Sequence, residues 1–168
     1  CMSADKYGRI MSRNKFCLVK KFFYLNHAKP EDHIDGKLKD KWHKIRPMLT
    51  CVRENSQKNW HLSRFTAIDE MMWPYGGSFC PARAYMPDKP DRFGVKCWTL
   101  NDDLEGYLYD FHPYGGKNDL FPGETPGDVK AAGAGDRIIY NMTRSLTPGS
   151  VCFTDNYFTS PLAYAKMK

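Results

Sequence analysis

The 168 residues carry 25 Lys+Arg against 19 Asp+Glu, a net +6, with 42% apolar and 14% aromatic content, an ordinary globular composition for one domain or slightly more. That excludes a disordered or low-complexity protein; no window approaches the roughly 18 consecutive apolar residues of a membrane span, and residues 1–13 lack a signal-peptide core. Charge is uneven: residues 1–64 hold 15 Lys+Arg and 6 Asp+Glu, a net +9, and residues 65–168 hold 10 and 13, a net −3. A polyanion such as DNA would be steered to the basic third, because phosphate neutralisation dominates sequence-independent affinity. A solvated helical surface accounts for the same charge.

In chain order, Ser12 is placed to cap a helix in which Phe16, Val19, Phe22 and Phe23 share a face, with Lys15, Lys20 and Lys21 off it and Asn26 as the stop. Residues 27–37, polar and holding a proline, read as a loop. Trp42, Ile45, Leu49 and Val52 predict a second helix over about 39–55, started or kinked by Pro47. Core packing between the two helices accounts for Phe16, Phe22, Phe23 and Trp42 better than base stacking does. The surrounding basic residues, Lys44 and Arg46 among them, remain candidates for phosphate contacts.

From residue 65 the period shortens. Residues 65–72 have strand content around Asp69-Glu70, Phe93, Val95 and Cys97 alternate within 92–100, and Tyr107, Tyr109 and Phe111 alternate within 106–113. A polar connection at 101–105 makes the latter two a hairpin, and the three runs an antiparallel meander. A Gly/Pro-rich loop over 115–133 precedes a helix capped by Asp136, with Ile138, Ile139, Met142 and Leu146 on one face and Pro148-Gly149 ending it. Residues 150–154 read as a short buried strand ending at Asp155, and Ser160-Pro161 starts a further helix.

A right-handed crossover through the helix at 136–146 places the fourth strand beside the first, giving the order 3-2-1-4. Connection direction reverses between strands 1 and 4, where open sheets build sites. Asp69 lies toward the end of strand 1 and Asp155 at the end of strand 4. Paired carboxylates there suit hard divalent cations, and two such ions about 4 Å apart serve phosphodiester chemistry. Either residue by itself also serves as a turn former, Asp155-Asn156 especially.

The cysteines at 1, 17, 51, 80, 97 and 152 form no Cys-x-x-Cys pair, and neither they nor the five histidines have zinc spacing. Free, mostly buried thiols and no zinc within the segment are the expectation. Asn141-Met142-Thr143 is a glycosylation triplet inside a helical pattern and carries no weight.

Five segments together carry a resemblance: Lys44-Ile45-Arg46-Pro47; Ile68-Asp69-Glu70-Met71-Met72; Tyr85-Met86-Pro87-Asp88-Lys89-Pro90 with Phe93-Gly94-Val95-Lys96; Gly106-Tyr107-Leu108-Tyr109-Asp110-Phe111 with Tyr114-Gly115-Gly116-Lys117; and Asp155-Asn156-Tyr157-Phe158-Thr159-Ser160. In this order they resemble the piggyBac family of transposases, from about Met11 to the last residue. The resemblance implies an α/β, RNase H-like mixed sheet as the first half of a catalytic domain at 65–168, preceded by a basic helical dimerisation and DNA-binding segment at 1–64. It implies Asp69 and Asp155 as two of three metal-binding Asp residues, with the third past the last residue here, so that the chain reads as part of a longer protein. Two Mg²⁺ or Mn²⁺ ions, cut-and-paste transposition of double-stranded DNA at TTAA targets with hairpins on the excised ends, a homodimer and a nuclear location are implied in the intact protein. Lys15, Lys20, Lys21, Lys44, Arg46, Arg83, Lys89, Lys96 and Lys117 become candidate DNA contacts. At the family's Phe-Lys-Gly-Arg stretch this chain has Pro74-Tyr75-Gly76-Gly77-Ser78. Gly76 and Ser78 replace basic residues, and Arg83 is the candidate to compensate. A domesticated or decayed non-catalytic DNA-binding protein is therefore the alternative, and a generic RNase H-like nuclease a third reading.

Overall fold

The computed structural model describes residues 10–166 except 24, 28, 31–32, 35–36, 39, 78–79 and 118, so Cys1 and Ser78, named above, lie outside the described residues. The chain divides into two compact units, Cys1–Met48 and Leu49–Lys168.

In the first unit Ser12 is extended and its hydroxyl accepts from Lys15 N at 3.3 Å, starting α1 (Arg13–Phe22) by satisfying an amide that the first turn leaves open. The helix stops at Phe22, short of Asn26. Inside the expected loop, β1 (His33–Ile34) and β2 (Lys37–Leu38) pair antiparallel; two-residue strands are too short to show alternation. Within the first unit no residue of α1 is buried, and Phe16, Phe22 and Phe23 are 58, 63 and 68% exposed. Trp42 is buried, but in the turns at 41–45, where its N–H donates to Asp40 Oδ1 at 2.8 Å. A helical period says which side chains share a face, not that another element covers it. Those turns also move the start of α2 (Arg46–Lys58) from the expected 39, with Pro47 in its first turn, where a missing N–H breaks no hydrogen bond.

The second unit is built on five strands, β3 (Phe65–Pro74), β4 (Arg83–Tyr85), β5 (Phe93–Asp102), β6 (Leu108–Pro113) and β7 (Val151–Thr154). β3 is antiparallel to β5 and parallel to β7, and β6 is antiparallel to β5, which is the expected 3-2-1-4. β4, unannounced by any alternation, pairs antiparallel with the start of β5. β3 and β5 outlast the expected 72 and 100 because their ladder continues from Thr66↔Asp102 to Pro74↔Gly94. Gly94 permits this close pairing, since a Cβ there would fall 2.3 Å from the Trp73 carbonyl oxygen.

Within the expected 115–133 loop lies α3 (Pro126–Ala131), whose signal is Thr125-Pro126 with Asp128: the Asp128 carboxylate accepts from the Thr125 N–H and hydroxyl, both at 2.7 Å. α4 (Ala134–Thr143) is capped by Gly133, correcting Asp136 as the cap; the Asp136 carboxylate instead accepts from the Ser160 hydroxyl. Ser160 Oγ also accepts from Ala163 N at 3.0 Å, capping α5 (Pro161–Lys166) as expected. Ile68, Trp98 and Leu100 line one sheet face and are covered by Ile138, Ile139 and Met142 of α4 with Phe121, Phe158 and Ala163. The thiols of the described cysteines are free, but only Cys97 among them is buried, which corrects the expectation of mostly buried thiols. Cys17 and Cys51 stand on solvent-facing sides of α1 and α2.

Candidate functional site

A parallel ladder puts its paired residues on one face, and the β3–β7 ladder ends at Ile68↔Thr154. Asp69 and Asp155 are the next residue on each chain, both exposed. Asp69 is expected toward the end of its strand. It sits mid-β3 opposite Thr99, because β3 continues along β5 after β7 has stopped. The switch in pairing partner falls at this point.

Each carboxylate is held by its own backbone: Asp69 Oδ1 accepts from Glu70 N at 2.6 Å, and Asp155 Oδ1 from Tyr157 N at 2.9 Å. The Asp155 turn is further tied by Thr159 Oγ1 to the Asp155 carbonyl at 2.9 Å. Asp69 borders a shallow groove of about 370 Å³, lined also by Glu70, Met71, Met72, Thr99, Asn101 and the loop residues Lys89, Pro90 and Asp91.

Behind this face, Glu70 and Lys96 form a half-buried ion pair. The Lys96 ammonium lies 4.3 Å from the Trp98 ring centre and 5.6 Å from that of Tyr157, and those two rings stack at 5.9 Å. Glu70 follows Asp69 and Tyr157 follows Asp155 by two, so one ammonium ties together the segments carrying both carboxylates. Lys89 Nζ donates to the Glu70 carbonyl at 3.2 Å, pinning the loop to the same strand. Neither role was readable from spacing. The adjacent Asp69-Glu70 pair was the only sign, and it became informative once the register set Lys96, Trp98 and Glu70 on one face.

The other candidate contacts scatter. Lys15, Lys20 and Lys21 lie on exposed α1, and Lys44 and Lys117 are exposed. Arg46 is engaged by Asp40 through both carboxylate oxygens, at 2.7 and 2.6 Å. Burial works to raise the Asp40 carboxyl, and the hydrogen bonds from Arg46 and Trp42 overcome it, leaving it below the usual range. The Arg83 guanidinium lies 4.3 Å over the Phe93 ring.

A network missed in the sequence anchors the loop before α3. Arg137 and Asn141 of α4 hold the Glu124 carboxylate, and Arg137 also donates to the Asp119 carbonyl at 2.8 Å. Burial pushes Glu124 up, but these bonds keep it below its ordinary value. Among the described residues no three His, Cys, Asp or Glu side chains converge as a metal cage.

The family described as "Transposase IS4" matches residues 2–168. The chain belongs to this family. It is 33% identical over 125 residues to "PiggyBac transposable element-derived protein 3" of Homo sapiens, covering 72% of this chain and 20% of that protein. Over the same length and at the same identity it matches the "Chimeric ERCC6-PGBD3 protein" of Homo sapiens, covering 11% of it. The chain thus spans a small part of the length of these relatives. A solved structure, a piggyBac transposase synaptic complex with hairpin DNA, superposes with a TM-score of 0.69 at 22% identity, over 96% of this chain and 34% of that one. The piggyBac resemblance carried by the five motifs is therefore borne out. So is the fold, an RNase H-like mixed sheet preceded by helices.

Proposed function

We propose that this transposase segment supplies two of the carboxylates with which the intact protein cuts and rejoins DNA in cut-and-paste transposition. The observation that supports the reading is the ladder end at Ile68↔Thr154, after which Asp69 and Asp155 are the next residues along the two neighbouring strands. The donor set fits Mg²⁺ or Mn²⁺: both groups are exposed oxygen ligands, and each is oriented by an amide on Oδ1. Bound there, two such ions would activate the attacking oxygen and stabilise the leaving one. The chain's own residues do the positioning. The backbone amides fix the two carboxylates, and the Glu70–Lys96 pair with the Trp98–Tyr157 stack holds the strand and the turn that carry them. Double-stranded DNA as partner, TTAA targets, a homodimer and action in the nucleus belong to the same proposal. The piggyBac complex with hairpin DNA lends it support.

One observation favours the non-catalytic alternative. A side chain at Gly76 would meet open space, so nothing in the fold demands the loss of a basic residue there. The deciding experiment is metal-dependent nicking of transposon-end duplex by the intact protein. Asp69→Asn and Asp155→Asn should each lower the rate by about 10²-fold or more with duplex affinity retained. Nicking at the parental rate by either variant overturns the assignment.

A further inference from the structure

We propose that Tyr75, Phe93 and Tyr85 form a stacking platform for an unpaired nucleobase of the DNA substrate. The inference rests on the DNA-processing reading above and adds a subsite to it.

The three residues make one row across three strands. Tyr85 pairs with Phe93 in the β4–β5 ladder, and Tyr75 N donates to the Phe93 carbonyl at 3.2 Å, one step past Pro74↔Gly94. Alternation along β5 puts Phe93 on the face of Val95, Cys97 and Thr99, and Thr99 pairs with Asp69. The row and Asp69 therefore occupy one sheet face, six residues or about 20 Å apart along β3 at roughly 3.3 Å per residue.

Tyr75, Phe93 and Tyr85 are 39, 49 and 55% exposed. The Tyr85 and Phe93 rings lie 4.8 Å apart at 43°, and the Arg83 guanidinium sits 4.3 Å over Phe93. An aromatic surface with an arginine plane on it is what stacking on a π-face requires, and duplex bases, already stacked on each other, cannot offer theirs. The loop at 86–92 joins Tyr85 to Phe93, and its Lys89, Pro90 and Asp91 wall the groove that Asp69 borders. That loop therefore links the groove beside Asp69 to the two rings. Asp88 and Asp91 offset Lys89 and Arg92 within this loop, and Lys89 is already bound to the Glu70 carbonyl. Ring contact, not phosphate attraction, must then supply the affinity, and it is insensitive to salt.

The test uses the intact protein, a DNA hairpin carrying 2-aminopurine in its unpaired tip, and a blunt duplex of the same stem. Binding should quench the 2-aminopurine. Tyr85→Ala and Phe93→Ala should each weaken hairpin affinity about tenfold or more, leaving duplex affinity and the salt slope unchanged. Tyr85→Phe should keep parental behaviour. Phe93→Leu, which preserves apolar contact within the fold, should lose the quenching. Parental hairpin affinity in Tyr85→Ala, or equal weakening of hairpin and duplex, overturns the platform. So does loss of a concentration-dependent dimer without any change in DNA binding. If duplex binding and Asp69-dependent nicking survive such a result, the platform alone has failed. If neither DNA binds, the broader reading fails with it.

Discussion

On one face of the sheet Ile68, Trp98 and Leu100 are 3% exposed or less under α4; on the other Phe65, Phe93 and Phe153 are 37, 49 and 50% exposed, in line with Asp69 and Asp155. Ile68 and Asp69 are neighbours in sequence, and the two-residue period of a strand sends them to opposite sides. The covered face holds apolar packing and closed polar networks. The other is open only in part: Phe65, Phe93, Phe153 and the two Asp residues are exposed, while Val95, Cys97 and Thr99 on the same face are buried. The packed side chain of Ile68 and the exposed one of Asp69 are thus separated by a single step along β3.

The largest test of that separation is truncation. Leu100→Ala should cost about 3–5 kcal/mol in denaturant unfolding, through lost burial and the cavity left under α4, whereas Phe153→Ala should cost less than about 1 kcal/mol. Comparable losses at both positions would break the contrast. Next comes the network behind the covered face. Arg137→Met leaves the buried Glu124 carboxylate unpaired and should cost about 3 kcal/mol, while Arg137→Met with Glu124→Leu should recover most of it. Additive losses in the double variant would show that the pair is not coupled. The smallest effect is titrational. Asp102 is buried, which raises its pKa, but hydrogen bonds from Ser63, Trp60 and Leu104 bring it down to about 2. Its folded pKa lies below the ordinary 3.8, so its stabilisation is complete above about pH 4 and is lost as pH falls toward 2. Asp102→Asn should flatten that part of the acid limb of stability against pH. An unchanged limb would place the acid sensitivity elsewhere.

Much of this was legible. Alternation at Phe93, Val95 and Cys97, the helical spacing of Ile138, Ile139 and Met142, and the Ser160-Pro161 start each became the element expected. What escaped was short or non-local. β4 and the hairpin of β1 and β2 hold too few residues for a period to appear, whereas Thr125-Pro126 with Asp128 is a local signal for α3. Asp136 looked like a cap because the residue type suits one, but the helix begins at Ala134 and the carboxylate was claimed by Ser160. At the candidate site the two Asp residues were readable, whereas the Glu70–Lys96 tie and the row Tyr75, Phe93, Tyr85 depend on strand register.

The sequence by itself determined the family and the strand order and picked out the two candidate carboxylates, because motifs and hydrophobic periods are local properties of the chain. Only tertiary structure decided that β3 would outlast β7 and that one ammonium would join the two Asp segments. Those outcomes depend on which distant residues meet, and pairing energies between distant segments leave no period in the chain that makes them.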